Sequence, residues 1–347
     1  MNAPQPPQLD CPFAAPPAPG EACAVAPGVL WLRMPLPFAL DHINLWLLAE
    51  NDGWTLVDCG YGDTITRDLW EAHFAKTLGG RPITRIIATH FHPDHLGNAH
   101  WLMERFGCPV VMTQAEFLTA HAVLEQRATH SFADACALFV NHGMAPDFAT
   151  ALVARGNHYR RGVPGVPARF DRMLHGDDVI AGGSPWRIIC GYGHSPEHAS
   201  LHSVARGLLI SGDMLLPRIS TNVSTAAAEP DGDPLARFLD SIAASATLPP
   251  DTLVLPSHGL PFRGIALRVA QLQTHHAERL TELEAAVAAA TSPVSASEML
   301  PVLFRRELDL QQRYFAMGEA IAHLNHLWHR KRIKRTVAAD GAIRFAT

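Results

Sequence analysis

The chain has 347 residues, 48% hydrophobic and 18% charged, which excludes a disordered polypeptide and allows one or two packed domains. A formal net charge of −5 supplies no global attraction to nucleic acid or to an anionic membrane. No apolar run approaches the ~20 residues that span a bilayer.

The first 27 residues are rich in proline and alanine and read as a flexible arm without the basic-then-apolar pattern of a secretory signal. The six cysteines form no Cys-x-x-Cys pair and no framework spacing, which points to free thiols, a reducing compartment and the cytoplasm. Strands are predicted over 29–34, 44–49 and 54–57, with Asn51-Asp52-Gly53 as a hairpin turn between the last two. The third strand ends in Asp58-Cys59-Gly60, a carboxylate placed to turn, cap a helix or point into a site. Apolar spacing predicts a helix over 64–78, stopped by Gly79-Gly80. A strand over 83–88 then runs into His90-Phe91-His92-Pro93-Asp94-His95, and a short strand follows over 110–112. Strands alternating with helices argue for a layered α/β fold.

From 114 to about 170 the pattern is interrupted by an alanine-rich helical insertion, with helices over 115–125, 132–141 and 147–154, which could roof a site. Its histidines (His121, His130, His142, His158) are scattered and read as surface or packing residues. Tyr159-Arg160-Arg161 and Arg169 could meet an anionic group, with solvent exposure as the default for the arginines. The sheet pattern resumes over 186–190 and leads into Gly193-His194. A hairpin over 200–204 and 207–210 ends in Ser211-Gly212-Asp213. A last strand over 252–255 ends in Ser257-His258-Gly259. The chain holds 20 histidines, so any one alone carries little weight. Four strand ends that each deliver a histidine or aspartate carry more. Imidazole and carboxylate are natural ligands of zinc and similar ions, and so many in six positions read as parts of two adjacent sites.

C-terminal to 263, helices are predicted over 265–290, from Ser295 onward and over 310–330. Two short strands then flank the Asp340-Gly341 turn. The run Arg330-Lys331-Arg332-Ile333-Lys334-Arg335 is the one feature that favours nucleic acid, and a solvated surface is its simpler reading.

The pattern His-x-His-x-Asp-His at 90–95, followed in order by Gly-His, Ser-Gly-Asp and Ser-His-Gly at strand ends, resembles the metallo-β-lactamase superfamily over about residues 28–262. The resemblance implies a four-layer αββα sandwich as catalytic domain over 28–262. It implies one metal held by His90, His92 and His194, a second held by Asp94, His95 and His258, and Asp213 as the bridge. Asp58 matches a residue that supports the ligands from behind, Asp94 would also handle a proton, and His198 would meet the substrate or sit in the site wall. Ser220, Thr221 and Asn222 follow the Asp213 loop and could line the pocket. The 263–347 segment is similar to the winged-helix-like C-terminal domain of glyoxalase-II-like hydrolases. The expected activity is binuclear hydrolysis of a small thioester or ester by a metal-bridging hydroxide. Two divalent ions are implied, zinc foremost, with iron or manganese compatible with the same donors. The expected partner is a small-molecule acyl substrate, with no membrane, and a homodimer is left open. The rival readings are a nuclease acting on single-stranded RNA or DNA with the same metals, and a non-hydrolytic regulatory protein that keeps the fold for binding.

Overall fold

The computed structural model describes residues 8–347. A seven-stranded sheet runs in the order β1 (Ala22–Ala26), β2 (Val29–Pro35), β3 (His42–Ala49), β4 (Trp54–Val57), β5 (Ile83–Ile87), β6 (Val110–Met112) and β7 (Asp171–Arg172). Its first four strands pair antiparallel, as short turns allow, and β4 to β7 pair parallel through helical crossovers. The crossovers are α1 (Thr64–Lys76), then α2 (Pro93–Leu96) with α3 (Ala99–Phe106). Residues 22–26 lie inside the stretch expected to be a flexible arm. They are instead an edge strand, because Ala22 to Ala26 find a continuous partner in β2. The part of that arm over residues 1–7 lies outside the described residues.

The insertion contains α4 (Gln114–Leu124), α5 (Phe132–Asn141), α6 (Pro146–Ala154) and α7 (His158–Gly162). A second sheet of five strands follows: β8 (Asp178–Ala181), β9 (Ser184–Gly191), β10 (His198–Ser203), β11 (Leu208–Gly212) and β12 (Leu253–Pro256). Its spatial order is β12-β11-β10-β9-β8. Between β11 and β12 lies α8 (Pro234–Ser245), which the sequence reading left unassigned although Asp233 caps it and Pro234 opens it.

One hydrophobic core joins the two sheets: Trp31, Leu45, Leu56 and Ile86 from the first pack with Ile188, Leu201, Ile210 and Leu255 from the second. Along β11 and β12 the side chains alternate. Leu209 and Val254 point the other way, into a second core with Leu235, Phe238 and Ile242 of α8. With Trp70 of α1 and Leu102 of α3 in the first core, the layers are helix, sheet, sheet, helix. The second core continues into α9 (Ile265–Ala289), α10 (Ala296–Leu303) and α11 (Leu310–His329). An antiparallel ribbon of β13 (Lys334–Val337) and β14 (Ile343–Ala346) closes the chain around the Asp340-Gly341 turn. The insertion touches both halves. Phe132 stacks on Tyr314 with ring centres 4.8 Å apart, and Ser297 N–H donates to the His142 carbonyl. His142 itself is buried against Phe345, a packing role.

Candidate metal centre

β4 and β5 run parallel, as do β11 and β12, so their C-terminal ends deliver Asp58, the His90 turn, Asp213 and His258 to one edge of the sandwich. His194 joins them from the loop after β9. The backbone turns sharply to do this. Gly212 has φ +52°, and a Cβ there would collide with His198 Nε2, so only glycine fits. Gly193 has φ +95°, and a Cβ there would collide with the Pro234 carbonyl. His92 precedes Pro93 at the first position of α2, which presents Asp94 and His95 from its first turn.

Two groups of donors result. His90, His92, His194 and Asp213 bring one nitrogen or oxygen each within 4.8 Å of one another, and Asp94, His95 and His258 do the same. The two groups meet at Asp213. Its Oδ2 lies 3.4 Å from His194 Nε2, and its Oδ1 lies 3.4 Å from His95 Nε2 and 3.3 Å from His258 Nε2. Asp94 Oδ2 faces His95 Nε2 at 3.6 Å and His258 Nε2 at 3.5 Å. His92 turns Nδ1 inward, 2.8 Å from His90 Nε2.

Tautomers follow from what lies behind each ring. A carbonyl oxygen can only accept, so His194 Nδ1–H donates to Asn222 O at 2.8 Å and His258 Nδ1–H to His42 O at 2.7 Å. His95 Nδ1–H donates to Asp58 Oδ2 at 2.7 Å, and His90 Nδ1 faces Thr89 Oγ at 3.1 Å. Each of these rings therefore directs an Nε2 lone pair into the cluster, as a metal ligand must. Among the described residues His95 Nε2, His258 Nε2 and Asp213 Oδ1 are buried without a hydrogen bond, a costly state unless a cation satisfies them.

The electrostatics agree. Burial and the neighbouring imidazoles hold His90 and His92 well below the ordinary imidazole pKa, so their lone pairs stay available. Burial also works against charge on His95, yet Asp58, Asp94 and Asp213 outweigh it and raise its pKa well above the ordinary value. For Asp213 burial opposes ionisation, but His258 and His95 win and its pKa falls well below the carboxylate range. The half around His95 and Asp213 thus favours positive charge, while the half around His90 and His92 keeps its imidazoles neutral. His90, His95 and His258 are buried, whereas Asp94 keeps part of its side chain open at the mouth.

Asp58 stands behind the cluster. It is buried with φ 61°, a left-handed conformation that aspartate tolerates better than most residues. It accepts from Thr89 N–H at 2.8 Å, from Thr89 Oγ–H and from His95. His198 is fully buried and its Nε2 accepts the Asp213 N–H at 3.1 Å, so it braces Asp213 from within the wall and has no surface for a substrate. Thr221 Oγ–H donates to the Asp213 carbonyl and Asn222 orients His194, so both brace members of the cluster. Tyr159 is also occupied: it is buried, and its hydroxyl donates to the Phe91 carbonyl at 2.6 Å. Arg160 pairs with Glu125, and Arg161 donates to the Arg155 carbonyl.

Sequence reasoning missed three supports. His42 Nε2 accepts the Gly259 N–H at 2.8 Å. Asn44 donates to the Pro256 and Gly259 carbonyls, both at 2.8 Å, so β3 clamps the His258 loop. Glu116 of α4 has no exposed surface and accepts three hydrogen bonds from the turns around His90 and His194. No periodicity or motif marks any of them.

Comparison with known proteins agrees with this geometry. Residues 39–258 match the model of the Metallo-beta-lactamase superfamily, and residues 280–347 match a Metallo-beta-lactamase-like C-terminal domain. The chain is similar to a crystallised beta-lactamase domain protein from Burkholderia ambifaria, at 48% identity and TM-score 0.90, covering 97% of this chain and 98% of that one. It is also similar to a metallo-beta-lactamase family protein of Thermus thermophilus, at 28% identity and TM-score 0.78, covering 93% and 99%. The probable metallo-hydrolase YqjP of Bacillus subtilis (strain 168) is 23% identical over 314 residues, 86% of this chain and 92% of that protein. The family match spans more than half the chain and takes in the converging histidines and aspartates, so the protein belongs to the metallo-β-lactamase superfamily.

Proposed function

We propose that this chain is a binuclear metal-dependent hydrolase, glyoxalase-II-like, acting on a small thioester or ester. The observation that carries the reading is Asp213, whose two carboxylate oxygens face different donor groups and so fit a bridge between two ions. The first pocket would be His90, His92 and His194, and the second Asp94, His95 and His258. Zinc suits these nitrogen and oxygen donors, and iron or manganese is compatible with them. Two divalent ions held there would supply Lewis acidity and a water of lowered pKa, the chemistry of two-metal hydrolysis. Asp94 sits at the open side with both imidazoles of its pocket beside it, placed to take a proton from water and pass it on. Asp58, His42 and Asn222 hold imidazole tautomers, and His198 holds the Asp213 backbone.

Residues 263–347 run three helices followed by a two-stranded ribbon, an order that supports a winged-helix-like module. Its basic run is partly spent internally: Arg332 pairs with Glu284, and Arg335 pairs with Asp231 at 2.6 Å while lying over Trp328. That disfavours the nuclease reading. The reading includes a cytoplasmic location, supported by six free cysteines. No helix among the described residues is long and apolar enough to cross a membrane. Elemental analysis of the full chain, followed by a panel of thioesters, esters and labelled single-stranded RNA, tests the proposal. The expected result is two ions per chain and thioester or ester turnover lost on chelation. RNA cleavage lost in His92→Ala, with no acyl hydrolysis in the parent, would overturn it.

A further inference from the structure

The two donor groups are supported from behind by two different buried carboxylates. Asp58 contacts the second-pocket His95 directly and reaches the first-pocket His90 only through the Thr89 hydroxyl. Its counterpart on the other side, Glu116, touches no ligand. Its Oε2 accepts the N–H of Phe91 at 3.0 Å, the peptide between His90 and His92. Its Oε1 accepts Ser195 Oγ–H and Glu197 N–H, each at 2.6 Å, on the turn that begins at His194. Glu197 closes the loop: its carbonyl accepts from Thr113 Oγ–H at 2.8 Å, just ahead of α4. The Phe91 carbonyl is pinned from the opposite side by Tyr159. A buried carboxylate is costly unless its lone pairs are filled, and among the described residues the donors that fill them come from the two turns bearing the first-pocket histidines.

We propose that Glu116 is a positioning residue that sets the spacing between the His90–His92 turn and the His194 turn, and hence the ion affinity of the first pocket alone. The helix bearing it belongs to the insertion, so this part of the chain tunes one ion and not the other. The inference rests on the two-pocket reading above. The carboxylate form is needed because all three partners donate. An amide in its place would turn one acceptor into a donor aimed at an N–H or O–H.

The test uses the full chain with zinc. Crystals of the parent, Glu116→Gln and Ser195→Ala are equilibrated at graded zinc concentrations, and anomalous scattering reads the occupancy of each position separately. For Glu116→Gln we expect the first-pocket affinity to fall ~10–100-fold, the usual cost of losing a group behind a ligand, with the second pocket unchanged. Ser195→Ala, which removes one of the three donors and leaves the carboxylate, should shift the same pocket by a smaller factor. It decides the matter alone if Glu116→Gln does not fold. Equal weakening of both positions, or none, overturns the inference while two ions in the parent leave the two-pocket reading intact. A parent that takes up fewer than two ions removes both.

Discussion

The chain buries imidazoles in two places, and the two differ in what the lone pairs face. In the candidate metal centre the rings donate outward through Nδ1 to Asn222, His42 and Asp58 and direct Nε2 toward shared carboxylates. In the C-terminal helices the rings serve each other. His323 Nδ1–H donates to the Glu319 carbonyl at 2.8 Å, which leaves its Nε2 to accept from His276 Nδ1–H at 3.1 Å. His326 pairs with Asp233 at 3.0 Å, capping residue of α8. Burial alone therefore does not make a ligand. Convergence on a carboxylate with the second nitrogen already satisfied is what fits a ring for that role.

The largest effect that could break this contrast lies at Asp213. Asp213→Ala leaves both donor groups without their common oxygen donor, so elemental analysis should show at most one ion per chain. Turnover should fall by more than the ~100-fold that losing a group behind a ligand costs. Two tightly held ions in that variant would end the bridging assignment. Asp58→Asn should come next. It weakens the partner of His95 Nδ1 and the anchor of Thr89, and ~10–100-fold lower metal affinity is expected with an unchanged fold by circular dichroism.

The C-terminal pair predicts stability rather than chemistry. Burial, reinforced by the neighbouring His323, holds His276 down to about 3, and burial holds His323 down to about 4. Both fold as neutral rings, while the unfolded chain takes up protons below about 6.5. Stability from this pair is therefore complete above pH 6.5 and lost as pH falls toward 4. His323→Leu should cost about 1–2 kcal/mol at pH 7.5 through the lost hydrogen bond and show a shallower decline of Tm between pH 6.5 and 4.5. Its metal content should match the parent. A loss of metal would move this cluster into the site.

The same contrast explains what the sequence disclosed. His90, His92, Asp94 and His95 are adjacent in the chain, and His194, Asp213 and His258 each follow a predicted strand. Strand ends of two facing sheets have one edge to share, so convergence was legible from local pattern. The strands over 54–57 and 110–112 and the helix over 132–141 fall where turn and apolar spacing put them. Edge strands β1 and β8 did not stand out, because Ala22–Ala26 is too small and polar-flanked for an alternation signal and Asp178–Ala181 too short. The supports were invisible for a different reason. Glu116 meets Ser195 across 79 positions and His42 meets Gly259 across 217, contacts that exist only once the sheets have packed.

Glu319 offers the finest test, because it stands where the two regions meet. Its backbone carbonyl serves His323, while its carboxylate accepts from Asn222 Nδ2 at 3.3 Å, and the Asn222 carbonyl orients His194. Burial pushes the Glu319 carboxyl up to about 7, with the Asn222 contact opposing. An acid whose folded pKa is raised contributes stability that is complete below its unfolded value near 4.5 and lost as pH rises through 7. Glu319→Gln keeps an acceptor for Asn222 and removes the charge. It should match the parent at about pH 4 and be more stable at pH 8 by on the order of 1–2 kcal/mol, since the side chain keeps partial solvent contact. Thermal melts at the two pH values read this directly. Because the amide of Asn222 and not its carbonyl meets Glu319, the same variant should keep both ions. If instead Glu319→Gln loses the ion near His194, the carboxylate reaches through Asn222 into the centre, and the division between structural and ligating clusters fails at that residue.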